Sequence, residues 1–99
     1  MKEIVEQEFE ESIKSNTYVI VEFKASWCVP CKTMHKILEE IMFTHENISV
    51  FEVDADEEVD LCETFNVRNL PTTLYYNDGE LVFKSSGTKT KEDILNVFN

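Results

Sequence analysis

The order of patterned segments in this chain predicts an α/β fold, a central mixed five-stranded sheet with helices on both faces. Three observations carry that expectation. Short β-prone apolar runs alternate with stretches whose apolar residues recur at helical spacing, and such alternation gives βαβ units with parallel neighbours. The last two β-prone runs flank Asn77-Asp78-Gly79-Glu80, a hairpin signal that makes one pair antiparallel. Finally, 99 residues with only two Gly and two Pro leave room for one core and almost no linker, so residues 1–99 are expected to form a single domain.

Taken in order, Ile4 and Val5 suit a short first strand. Phe9 and Ile13, four apart, mark one face of a charged helix from Glu6 to Ser15, ended by Asn16 and Thr17. Tyr18 to Phe23 is β-branched and aromatic, interrupted only by Glu22. It reads as a strand buried on both faces, which places Glu22 in the interior. Met34, Ile37, Leu38, Ile41 and Met42 trace a long helix that runs to about Thr44 or His45. Ile48 to Val53 is the next strand, and Asp54-Ala55-Asp56 turns into an acidic helix expected to face Val59, Cys62 and Phe65 inward. Leu70-Pro71 introduces a strand from Thr72 to Tyr76, and Leu81 to Lys84 completes the hairpin. Thr90, with Asp93 three residues later, caps a last helix carrying Ile94, Leu95 and Phe98.

Two thiols sit where the second strand meets the long helix, in Trp27-Cys28-Val29-Pro30-Cys31. Proline suits the first helical position, and Val29 before it is pushed away from helical geometry, so the helix is expected to start at Pro30. Cys28 then lies just outside a helix N-terminus, where unpaired N–H groups and the macrodipole favour a thiolate. Cys31, one turn on, is near enough to close a disulfide with little backbone movement. The same spacing occurs in zinc sites, although one such pair lacks the third and fourth ligands.

Charge and cysteine count narrow the function further. The net charge is −11, with acidic residues gathered in Glu3 to Glu11 and Asp54 to Glu63. These read as a solvated face or as a surface for a basic partner, and the balance disfavours nucleic acid, whose binding needs Lys and Arg on phosphates. The N-terminus is too acidic for a signal peptide and no stretch is long enough to span a bilayer, so a soluble, cytoplasmic monomer is expected. Three cysteines fit a reactive pair plus one spare thiol in a reducing compartment. Between Val59 and Phe65, Cys62 reads as a small core residue, and His35 as an incidental residue on a helix flank. His45 falls near a helix C-terminus, where packing or the dipole accounts for it.

Taken together, the chain resembles the thioredoxin family over its whole length. The likeness rests on Trp27-Cys28-Val29-Pro30-Cys31-Lys32 after Val21-Glu22-Phe23-Lys24-Ala25, on Val53-Asp54-Ala55-Asp56, on Val67-Arg68-Asn69-Leu70-Pro71-Thr72, on the Asn77-Asp78-Gly79 turn and on Gly87. The resemblance implies a thiol–disulfide oxidoreductase, mainly a protein-disulfide reductase, with Cys28 as nucleophile and Cys31 as resolving thiol. It makes Pro71 the family's cis-proline and gives Trp27, Val29, Pro30, Leu70 and Gly87 places in the substrate groove. It also implies disulfide-containing protein substrates and a flavoprotein thioredoxin reductase as electron donor. No bound cofactor and no metal are expected beyond the redox-active Cys28–Cys31 pair, since the chain has no dinucleotide fingerprint.

Four positions depart from the family pattern. Val29 stands where Gly is usual between the cysteines. Glu22 replaces the buried Asp that assists proton removal from the resolving cysteine, and Val50 is expected where a Lys often lies beside that acid. Without the lysine, a buried carboxyl should favour its neutral form more strongly. Lys36 replaces a helix-kinking proline, so the long helix is expected to run straighter. The competing readings are an adaptor that keeps the groove as a docking surface, an oxidase or isomerase of the same fold, and a zinc site of Cys28, Cys31 and a histidine.

Overall fold

A computed structural model describes residues 1–99. In chain order it has β1 (Lys2–Glu3), a 3-10 turn (Glu6–Glu8), α1 (Phe9–Ile13), β2 (Tyr18–Lys24), α2 (Val29–Thr44), β3 (Ile48–Asp54), α3 (Val59–Thr64), β4 (Thr72–Asn77), β5 (Glu80–Ser86) and α4 (Lys91–Asn96). The five strands form one sheet in the order β1-β3-β2-β4-β5. β1, β3 and β2 run parallel, and β4 and β5 join antiparallel. The mixed sheet expected from the βαβ units and the hairpin is therefore the one observed.

β2 is the central strand, and its alternation divides the core. Val19, Val21 and Phe23 join Phe9, Ile13, Leu61 and Tyr76 on the α1/α3 side. Ile20 joins Met34, Leu38, Ile41, Tyr75 and Ile94 beneath α2 and α4. Each such side chain, fully withdrawn from water, contributes about 1.5–3 kcal/mol. Glu22 shares the parity of Ile20, so it enters the α2 side of the core and is completely buried.

Local chemistry explains the turns. Asp78 and Gly79 both have positive φ and form the two-residue hairpin link. At Gly79 an added Cβ would also press to 3.1 Å from the Lys14 side chain. The Thr90 hydroxyl accepts the Asp93 N–H at 3.1 Å, the expected cap. α2 is unbroken over 16 residues, in keeping with a lysine at position 36.

Several boundaries and faces differ from expectation. The first strand pairs at Lys2 and Glu3 rather than Ile4 and Val5: the Ile4 N–H still bonds the Glu52 carbonyl, but its side chain turns into the core, and Val5 caps the following turn. The first helix is a 3-10 turn followed by five α-helical residues, ending at Ile13. In α3 the enclosed residue is Leu61, with Cys62 and Phe65 partly buried against the same core as expected, while Val59 is exposed, because a six-residue helix shows the core a narrow stripe. β5, an edge strand, leaves Leu81, Val82 and Phe83 exposed.

Candidate functional site

α2 begins one residue earlier than the proline rule places it, at Val29, and Cys28 is its N-cap. The Cys28 sulfur accepts the Cys31 N–H at 3.2 Å, so a helix-start donor points at sulfur. Cys28 and Cys31 are joined as a disulfide with Cα atoms 5.3 Å apart. Both are buried, and with Ala25 they form a small cluster against which Leu70 packs.

The rim around the pair is assembled from three parts of the chain. Leu70–Pro71 is a cis peptide, and the Pro71 carbonyl accepts the Gly87 N–H at 2.8 Å. The Thr88 hydroxyl donates to the Pro30 carbonyl at 3.4 Å, so the loop after β5 is fastened to the start of α2. Gly87 has φ of +82°, a backbone conformation that favours glycine, although a Cβ there would meet nothing within 4 Å. Trp27 is 67% exposed and its indole N–H donates to Asp56 at 2.9 Å. Val29 is exposed as well. The structure thus brings Trp27, Val29, Pro30, Leu70, Pro71 and Gly87 around one surface above the disulfide.

Behind the disulfide the chemistry changes. Strand register sets Glu22 beside Glu52, and the Glu52 carboxylate lies 2.8 Å from Nδ1 of His35 on α2. Both Glu22 oxygens lack a hydrogen-bond partner. Burial, and then the neighbouring Glu52, push the Glu22 carboxyl up to about 8, and Lys24 opposes this only weakly because its ammonium is bonded to Glu3. The donor atoms of Glu22, His35 and Glu52 all lie within 4.8 Å of one another, a grouping with the composition of a metal site. An open pocket of about 440 Å³, lined by Lys24, Ala25, Ser26, Cys31, Lys32, His35, Lys36 and Glu52, opens Cys31 and the outer two members of this cluster to solvent, with Glu22 enclosed beyond it.

A protein-family model described as Thioredoxin matches residues 1–99. The chain belongs to the thioredoxin family. Thioredoxin-2 of Pyricularia oryzae is 40% identical over 76 residues, which cover 77% of this chain and 44% of that protein. Thioredoxin of Listeria monocytogenes is 35% identical over 100% of this chain and 96% of its own length. The solved structure of Plasmodium falciparum thioredoxin superposes with a TM-score of 0.86 at 30% identity, covering 99% of this chain and 97% of that one. With a thioredoxin fold and a cysteine pair already closed across one helical turn, the chain is a thiol–disulfide oxidoreductase of the protein-disulfide reductase class, and its redox group is that disulfide.

Against the thioredoxin pattern, one position needs correction. The residue beside the buried acid is Glu52, not Val50, which pairs with Ile20 two positions along. The lysine of the pattern is thus replaced by an acid, and the group that pairs with that acid, His35, comes from the helix. His35 is accordingly engaged with Glu52 rather than incidental, and it turns to a carboxylate, while the two sulfurs of the proposed zinc set are bonded to each other. Cys62 is half-buried, packed against the edge of the core rather than enclosed in it. Its thiol lies 3.7 Å from the Ala55 carbonyl, and desolvation, followed by Asp56, Asp54 and Glu58, raises it above the usual thiol range. His45 caps α2, with its Nδ1 2.8 Å from the Thr44 hydroxyl.

Proposed function

We propose that the chain is a general protein-disulfide reductase cycling between Cys28–Cys31 dithiol and disulfide, with Cys28 as nucleophile and Cys31 as resolving thiol. The observation that carries this reading is Cys28 at the cap of α2 with a backbone N–H aimed at its sulfur. In the reduced state that donor and the helix dipole stabilise a thiolate, the species that attacks disulfides.

Cys28 attacks one sulfur of the substrate disulfide, forming a mixed disulfide and releasing the other sulfur as a thiolate. Cys31 then loses its proton and attacks Cys28. The Cys28–Cys31 bond forms, the bond to substrate breaks, and its electron pair leaves on the substrate sulfur. Two electrons have passed from the dithiol to the substrate. Glu22, buried and without a hydrogen-bond donor, takes the Cys31 proton. Trp27, Val29, Pro30, Leu70, Pro71 and Gly87 receive an extended substrate segment, with the Leu70 backbone offered to it.

The electron donor in this reading is a flavoprotein thioredoxin reductase, and the partners are disulfide-containing proteins. The whole chain acts as one domain and as a monomer. Its place is electron transfer and redox homeostasis in the cytoplasm, a reducing compartment suited to an unpaired Cys62. No helix is long and apolar enough to cross a membrane. The test is insulin reduction with dithiothreitol as donor, together with equilibration of the Cys28–Cys31 couple against glutathione. Catalysed reduction and a couple near the roughly −270 mV of a reducing member of this fold are expected. No acceleration, or a couple near the roughly −120 mV of a strong oxidant, would overturn the reductase reading.

A further inference from the structure

We infer that His35 and Glu52 form the proton outlet of the resolving step, passing the proton that Cys31 gives to Glu22 on to solvent through the pocket behind the disulfide. The inference rests on the reading of Glu22 as proton acceptor and adds the route by which that acceptor is emptied.

The need for an outlet follows from burial. Glu22 has no exposed surface, and neither of its oxygens meets a donor. A base so placed serves one turnover and then remains protonated unless a second group relays the proton outward. Its carboxyl, pushed up to about 8, is mostly protonated at neutral pH, so the ionised form that accepts from Cys31 has to be regenerated after each turnover. Glu52 is the neighbour in register on β3, largely buried, and His35 stands 2.8 Å beyond it with 38% of its side chain exposed. The sequence of groups thus runs from wholly buried to half-exposed within 4.8 Å separations, a gap that one bridging water spans. Cys31 lines the same pocket as Glu52 and His35, so origin and exit of the proton share one cavity.

The step balances. The Cys31 S–H bond breaks and its electron pair forms the bond to Cys28, the bond from Cys28 to the substrate sulfur breaks with its pair leaving on that sulfur, and the proton moves to Glu22, then to the Glu52–His35 pair, then to water. On re-reduction it returns by the same path. Imidazole suits the outer position because one ring nitrogen can accept a proton while the other gives one up, as an ammonium cannot. The other charged or titratable groups facing the cluster are Lys24 and Tyr75 from the sheet and Lys32, Lys36 and Glu39 from α2. Lys24 is held by Glu3 and the Tyr75 hydroxyl lies beside Ser85, so neither offers the outlet.

The experiment mixes reduced full-length chain with substoichiometric dithiobis(nitrobenzoate). Thionitrobenzoate is released once when Cys28 attacks and again when Cys31 resolves, so both steps are read in one trace from about pH 6 to 9. His35→Gln is expected to leave the first phase unchanged and slow the second about tenfold at pH 7. The deficit should shrink toward pH 9, where hydroxide takes the proton directly. In His35→Ala, added imidazole should restore the second phase. A normal second phase in His35→Gln overturns the outlet, as does a slowing equal at every pH that imidazole does not relieve. Glu22→Gln separates the two readings: if it slows resolution while His35→Gln does not, only the outlet fails. If Glu22→Gln resolves normally, the acceptor role itself fails.

Discussion

The two sides of the disulfide differ in kind. In front, Trp27 and Val29 stand in solvent, the Leu70–Pro71 peptide and Gly87 close the rim, and Asp56 accepts the indole N–H. Behind, two carboxyls and an imidazole crowd together, one carboxyl wholly buried without a donor. In the proposed reading the front receives substrate proteins, and the back holds and releases a proton. The two cysteines are equally buried in one small cluster, but the faces on either side of them differ, so changes to either side should act on separate steps.

The largest effect should come from the sulfurs. Cys28→Ser is expected to abolish insulin reduction, whereas Cys31→Ser should still attack and accumulate a substrate adduct, visible by mass spectrometry. An adduct that fails to accumulate in Cys31→Ser would remove the assigned order of attack. Next comes the acid behind the pair. Glu22→Gln should slow resolution about a hundredfold at pH 7, at the lower end of what a positioned proton acceptor supplies. Stopped-flow measurement of attack by Cys28 should show no change.

Glu22 should also leave a mark on stability. Its ordinary value is 4.5 and the fold raises it to about 8, so between these the folded chain retains a proton that the unfolded chain has lost. Its contribution is complete below about 4.5 and is lost as pH rises through about 8, at up to about 1.4 kcal/mol per pH unit. Urea unfolding at several pH values should reveal this slope, and Glu22→Gln should flatten it. The smallest effect lies away from both sides: Thr90→Ala, which removes the α4 cap, should cost about 1 kcal/mol by the same measurement and leave the thiol chemistry untouched.

The contrast also explains what could be read from the sequence. The features decided within four residues, the Trp27-to-Cys31 stretch at the head of α2, the Asp78–Gly79 hairpin and the Thr90 cap, are found where their chemistry places them, apart from a helix start one residue ahead of the proline. The buried Glu22 was likewise legible, because β2 is apolar on both sides of it. The rear depends on strands meeting across the sheet. Val50 and Glu52 share a face, and only the β2–β3 register tells which lies beside Glu22; a slip of two residues displaces the partner by about 6.6 Å while preserving alternation. His35 carried no signal for the same reason, its partner being seventeen residues away on another element. Val59 misled because six helical residues hold too few turns to fix a face.

β5 bears on how copies of the chain behave toward one another. An outermost strand with Leu81, Val82 and Phe83 uncovered offers unpaired backbone and apolar surface to a second sheet. At neutral pH a net charge of −11 keeps such copies apart. Near the isoelectric point of about 4.4 that repulsion disappears. Acid is therefore the condition in which this fold, otherwise relieved of its buried anion, becomes prone to stack edge against edge.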